Sequence, residues 1–167
     1  MEDKPKLPKR KKIRLEGYDY SSEGCYFTTI CTESLKNLLS IVGDADLGVP
    51  KEITLKPYGK IAEKYILSME SAYECITVNN YIIMPNHVHM IVILENGNYN
   101  LSQIIAQYKS GVTRWIRKCM PDVAVWQRSY HDHVIRNQAA YEKIWLYIEA
   151  NPKNWDQDCF YLDPNIG

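Results

Sequence analysis

The period of the apolar positions changes several times along the chain, and each change marks an element. "GCYFTTICTE" (24–33) is rich in β-branched and aromatic residues and predicts a strand. Residues 34–53 hold two glycines, a proline and several acids, and predict a variable connection. Over 54–74, Ile61, Tyr65, Met69 and Tyr73 recur every fourth residue, the spacing of an amphipathic helix. Gly59 is an awkward residue inside that helix. "CITVNNYIIMP" (75–85) and "HVHMIVIL" (87–94) predict two strands joined tightly at Pro85 and Asn86. A loop marked by Gly97 and Asn98 leads to a second helix over 100–119, with an apolar face of Leu101, Ile104, Ile105, Tyr108, Val112, Trp115 and Ile116. Residues 122–137 carry no clear period and are read as a short strand and a loop. Residues 138–151 predict a third helix, stopped by Pro152.

The order is β-α-β-β-α-(β)-α, without the strict alternation of a parallel sheet. It predicts an α+β, ferredoxin-like fold: an antiparallel sheet with helices packed mainly on one face. A chain of 167 residues, 46% of them apolar, suits one domain with its own core. Formal net charge is zero, but the distribution is uneven. Residues 1–14 form a basic arm holding Lys4, Lys6, Lys9, Arg10, Lys11, Lys12 and Arg14, and 156–167 form a short acidic tail. The body is then 15–155. A basic arm suits either a polyanionic partner or a frayed, solubilising terminus. No apolar run approaches the roughly 18–20 residues of a membrane span, so no membrane partner is expected. The five cysteines form no C-x-x-C pair and are odd in number. They read as reduced thiols of a cytoplasmic protein.

Candidate chemistry enters with the central strand. Alternation places His87 and His89 on one face, with Cβ atoms roughly 6–7 Å apart. One buried histidine is ordinarily a hydrogen-bonded core residue. Two on one face need more partners than packing readily supplies, and neutral imidazole is the commonest metal ligand. "YHDH" (130–133) carries a second such pair, His131 and His133. Packing, a metal pair and a four-histidine zinc site all remain open at this point. On the third helix Tyr147 and Asn151 are i and i+4, neighbours on one face. A rim aromatic and a helix-terminal residue would look the same.

The second helix presents Arg114, Arg117 and Lys118 at i, i+3 and i+4. This is a basic edge for phosphates, or a solvated face favouring the helix C-terminus. Lys109, Arg128, Arg136 and the arm residues Lys11 and Lys12 extend the track. Trp115, Trp126 and Tyr130 are candidates to stack unpaired bases, although core packing explains the tryptophans as well.

Taken together, these segments resemble a known family. "MPNHVHMIV" resembles the histidine-hydrophobic-histidine (HUH) motif of the small single-tyrosine transposases of bacterial insertion sequences, and "YIEANP" resembles the helix carrying their nucleophile. "WQRSYHDHVIRN" (126–137) and "IRLEGYDYSSEGCYFTTICT" (13–32) resemble the flanks of the REP-associated branch. The resemblance runs from about residue 10 to about residue 155 in the family's order.

It implies a ferredoxin-like α+β domain. It implies His87, His89 and Asn151 as ligands of Mg2+ or Mn2+, and Tyr147 as nucleophile. The implied activity is cleavage and rejoining of single-stranded DNA, at hairpin-containing sites, through a 5′-phosphotyrosine link. It assigns His131 and His133 to a flank and allows a monomer or a homodimer. The ligands it implies are all neutral, so a bound cation would keep its full charge toward a phosphate. A non-catalytic nucleic-acid-binding domain on the same fold is the alternative, and a zinc hydrolase using all four histidines is a third reading.

Overall fold

The computed structural model describes residues 23–43, 51–95 and 99–162. The basic arm, with Lys11 and Lys12, lies outside the described residues. Four strands make the main sheet: β1 (Gly24–Cys31), β4 (Ile76–Ile83), β5 (His87–Leu94) and β6 (His131–Ile135). Their order is β4-β5-β1-β6 and every neighbouring pair is antiparallel. Helix α1 (Pro57–Leu67) and the short α2 (Met69–Ala72) lie between β1 and β4, and α3 (Leu101–Ile116) connects β5 to β6. Helix α4 (Gln138–Ala150) follows β6. This is the α+β, ferredoxin-like arrangement expected. Among the described residues no helix is long and apolar enough to cross a membrane.

Alternation along β5 divides the molecule into two layers. Val88, Met90, Val92 and Leu94 point to the larger core, where they meet Tyr26 and Ile30 of β1 and the buried faces of α1 (Ala62, Ile66) and α3 (Leu101, Ile104, Ile105, Tyr108, Val112, Ile116). Each large apolar side chain buried there contributes roughly 1.5–3 kcal/mol, so this face holds most of the stability. The opposite face carries a smaller cluster, Ile91, Ile135 and Ile148 with Phe27, Ile144 and Trp145 around them. Only α4, among the four α-helices, packs there, and His87 and His89 share that face.

The helix ends follow local chemistry. Pro57 starts α1 at a position where its missing N–H costs nothing. Asn100 caps α3 through a reciprocal pair with Gln103, and the Asn137 side chain accepts from the Ala140 N–H at the start of α4.

Three expectations need correction. The connection over 34–53 contains β2 (Ser40–Val42), which pairs with β3 (Ile53–Leu55) in a separate two-stranded sheet. The helix expected over 54–74 starts only at Pro57 and breaks at Ser68, between α1 and α2. Trp115, read as part of the buried face of α3, is 44% exposed and lies under the Lys118 ammonium, 3.8 Å from its ring centre. Gly59 also finds its reason: it is buried against the Leu39 carbonyl, and a Cβ there would sit 2.0 Å from that oxygen.

Candidate active site

His87 and His89 are fully buried, with ring centres 4.4 Å apart. A chain of hydrogen bonds fixes the proton of His87. The Asn86 amide nitrogen donates to two backbone carbonyls, Leu35 at 3.2 Å and Phe160 at 2.7 Å. Its oxygen is thereby turned toward His87 Nδ1, 2.9 Å away. An amide oxygen only accepts, so Nδ1 carries the proton and Nε2 keeps a bare lone pair. That Nε2 is buried and has no hydrogen-bond partner. His89 is held in the same style, with Nδ1 2.9 Å from Thr29 Oγ1, its cross-strand neighbour. Orientation of one ring nitrogen by a fixed partner, leaving the other free, is how metal-binding histidines are set up.

Helix α4 brings the other two residues. The Tyr147 hydroxyl lies 3.4 Å from His89 Nε2, and its ring meets Phe27 edge-on at 6.0 Å. The residue is 43% exposed. Asn151, one turn on, is buried, and its Oδ1 is a second buried polar atom without a partner. Its Nδ2 donates to Asp158 Oδ2 at 3.3 Å. Unpaired buried polar atoms cost roughly 1–3 kcal/mol each, and such costs persist where a ligand can relieve them.

The electrostatics keep the pair neutral. Burial pushes the His87 imidazole down to about 3, with the Asn151 side chain opposing. Burial, then the neighbouring His87, holds His89 well below its ordinary value, and Asp158 opposes. Burial and the Asp158 carboxylate raise the Tyr147 phenol, while Asn151 pulls back. Two neutral imidazoles, one with an unpaired Nε2 and one whose Nε2 meets only the Tyr147 hydroxyl, and an unpaired amide oxygen suit a divalent cation.

Sequence reasoning missed three contributors. Asp158 has a carboxylate oxygen within 4.8 Å of ligand nitrogens of His87 and His89, and the three form a group able to hold a metal ion. It stands in the segment read as a short acidic tail, and no periodic signal marks it. Asn86 was hidden by its reading as a turn residue, although its place beside His87 was a usable signal. Thr29 could have been found only from the register.

His131 and His133 do not join the group. They are exposed on β6, with His131 opposite Thr29 and His133 opposite Phe27, one strand further across the sheet. The described residues therefore do not form the four-histidine site.

The candidate DNA contacts separate. Arg114, Arg117 and Arg128 line one groove of about 550 Å³ between α3 and residues 124–128, with Trp126 in its wall. The groove lies toward the sheet end where Cys31 faces His87, since Gln127 N–H donates to the Cys31 carbonyl. Lys109 also lines it, but its ammonium is engaged by the carbonyls of Gln127, Arg128 (3.4 Å) and Ser129 (3.1 Å). Lys118 is committed to Trp115. Arg136 follows the opposite end of β6, away from this cluster. Trp126 and Tyr130 are buried, which leaves Trp115 as the exposed aromatic of the three.

An α+β sheet with paired histidines beneath a tyrosine-bearing helix defines a class, and comparison with known proteins places the chain within it. Residues 52–151 match the family model for IS200-like transposases. A Haemophilus influenzae protein of uncharacterized function is 32% identical over 92% of this chain and 94% of its own length. A second protein of that organism, provisionally assigned as a REP-associated tyrosine transposase, is 26% identical over 59% of this chain and 70% of its own. Among solved structures, a REP-associated tyrosine transposase bound to a REP hairpin superposes with a TM-score of 0.62 at 19% identity, covering 85% of this chain and 74% of that one. The chain belongs to the IS200-like transposase family, and its class is that of DNA transposases.

Proposed function

We propose that this protein cuts and rejoins single-stranded DNA at hairpin-containing sites, with Tyr147 as nucleophile and His87, His89 and Asn151 as ligands of Mg2+ or Mn2+. The observation that carries the reading is the meeting of the Tyr147 hydroxyl with His89, 3.4 Å apart, beside the unpaired atoms of His87 and Asn151. The phenolic oxygen attacks the phosphorus and the bond to the 3′ oxygen breaks. A 5′-phosphotyrosine link and a free 3′-hydroxyl result: the phenol gives its proton to solvent as its bond to phosphorus forms, and the departing 3′ oxygen takes one up. The reverse attack by a 3′-hydroxyl rejoins strands without an energy-rich cofactor, because the covalent step conserves the bond.

A bound divalent cation would polarise a phosphoryl oxygen and offset charge developing there. The protein's own part is positioning. α4 holds Tyr147 and Asn151 on one face, Phe27 supports the tyrosine ring, and Asn86 and Thr29 fix the imidazoles. Arrangement of this kind supplies several kcal/mol of a barrier. Arg114, Arg117 and Arg128 supply phosphate contacts along the groove. A structural relative, a REP-associated tyrosine transposase bound to a REP hairpin, supports the hairpin as substrate class.

Incubation with labelled hairpin DNA and Mn2+, followed by a denaturing gel, tests this. The wild-type chain should yield a covalent adduct, and Tyr147→Phe should lose the adduct and cleavage while binding DNA nearly as well. An adduct persisting in Tyr147→Phe would refute the assignment. Binding without any adduct in the wild-type chain would favour a non-catalytic nucleic-acid-binding domain.

A further inference from the structure

The residues after α4 do not leave the molecule. Pro152 ends the helix, a single 3-10 turn (Trp155–Gln157) follows, and the chain folds back over the histidine pair. The Phe160 ring sits 4.8 Å from the His87 ring, and Trp155 approaches it at 6.0 Å. The Phe160 carbonyl accepts from Asn86, the residue that fixes the His87 proton. The Phe160 N–H donates to Asp158 Oδ1 at 2.7 Å, so the backbone aims that carboxylate. Asp158 also takes an N–H of the Asn151 amide, which leaves Asn151 Oδ1 as the unpaired atom.

Resting on the cation-dependent reading above, we propose that Asp158 is the anionic ligand of the divalent-cation site and that the segment Trp155–Phe160 completes that site. Two observations and one physical argument carry this. A carboxylate oxygen lies within 4.8 Å of the ligand nitrogens of both histidines. Among the described residues, the ion pair found is Lys51 with Asp156, and no lysine or arginine pairs with Asp158. A half-buried carboxylate without a countercharge, beside neutral imidazoles, is costly unless a cation joins it.

The donor set then holds two imidazole nitrogens, an amide oxygen and a carboxylate oxygen. Oxygen donors move preference from zinc toward Mn2+ and Mg2+. The set is also no longer neutral, so one unit of the cation's charge is offset within the site. Asp158 acts twice: as a donor itself, and as the group that turns the Asn151 oxygen inward.

The test is Mn2+ binding to the full chain without DNA, followed by calorimetry and by the rise in melting temperature that Mn2+ produces. Asp158→Asn keeps the shape of the side chain and one accepting oxygen, and it removes the charge and the second accepting oxygen. Asp158→Ala removes both, and His87→Ala is the control. Both Asp158 variants should bind Mn2+ at least about tenfold more weakly and lose most of the thermal shift, while melting like the wild type without metal. Wild-type affinity in Asp158→Asn, with binding lost in His87→Ala, would overturn the ligand role and leave the histidine site standing. Wild-type affinity in His87→Ala would overturn the cation site itself, and the role of Asp158 with it.

Discussion

Acidifying the metal-free protein from pH 7 to pH 5 should destabilise it by about 2 kcal/mol through His87 alone. Burial holds this imidazole at about 3 in the folded chain. In the unfolded chain it titrates near about 6.5. Between those values the unfolded state takes up a proton that the folded state refuses. Unfolding therefore binds protons, and stability falls as pH falls. The unfolded term, integrated from pH 7 to pH 5, gives about 2 kcal/mol, and the folded term adds almost nothing because pH 5 still lies far above the folded value. His89, held low by the same burial, adds loss in the same direction. Urea unfolding in a chelator at pH 7, 6 and 5 measures this. His87→Gln serves as reference, because its amide does not titrate. The wild type should lose about 2 kcal/mol more than the variant across the range. Parallel curves would mean that folded His87 titrates like a free imidazole, and the argument for a sealed, neutral histidine pair would fail.

Two further outcomes follow from the fold. Gly59→Ala should destabilise the protein by about 1–3 kcal/mol in a thermal melt, because the added methyl meets the Leu39 backbone, and that overlap outweighs the roughly 1 kcal/mol gained in helix propensity. Arg114→Ala and Arg117→Ala should each weaken DNA binding across sequences and reduce the slope of log affinity against log salt by about one, whereas Arg136→Ala should leave the slope unchanged. Unaltered slopes in the first two would remove the groove from the DNA path.

Three strands of the main sheet were readable from their β-branched and apolar runs, whereas β6 lies in the stretch without a clear period. "HVHMIVIL" alternates two faces, and that alternation put His87 and His89 together on the side away from α1 and α3. α4 was readable from its apolar spacing and from Pro152 after its end, and the i, i+4 spacing of Tyr147 and Asn151 held. The hairpin of β2 and β3 was not, since each strand has three residues and the glycines, acids and proline around them dominate the local signal. Trp115 fits the helical period and still lies outside the core. It stands in the last turn of α3, where a stack with Lys118 competes with burial. Lys109 shows the same limit for charge. A cation on a helix facing residues 127–129 reads as a phosphate contact, and in the fold its hydrogen bonds go to carbonyls.

The two faces of the sheet do different work, and the division explains where polar groups are buried. The α1 and α3 face is nearly all apolar and supplies the burial that offsets chain entropy. The α4 face therefore tolerates Thr29, Asn86, His87, His89 and Asn151, all at least 95% buried. Most of their polar atoms are paired: Asn86 with two carbonyls and a histidine, His89 with Thr29 and Tyr147, Asn151 with Asp158. The two atoms left without partners, His87 Nε2 and Asn151 Oδ1, lie in the same small site. A fold selected for stability alone would fill such a place with apolar side chains, because an unsatisfied polar group costs more than a packed one returns. Two such atoms facing one site, beside a part-exposed tyrosine and a half-buried carboxylate, mark a place where a ligand can complete the bonding of the folded chain.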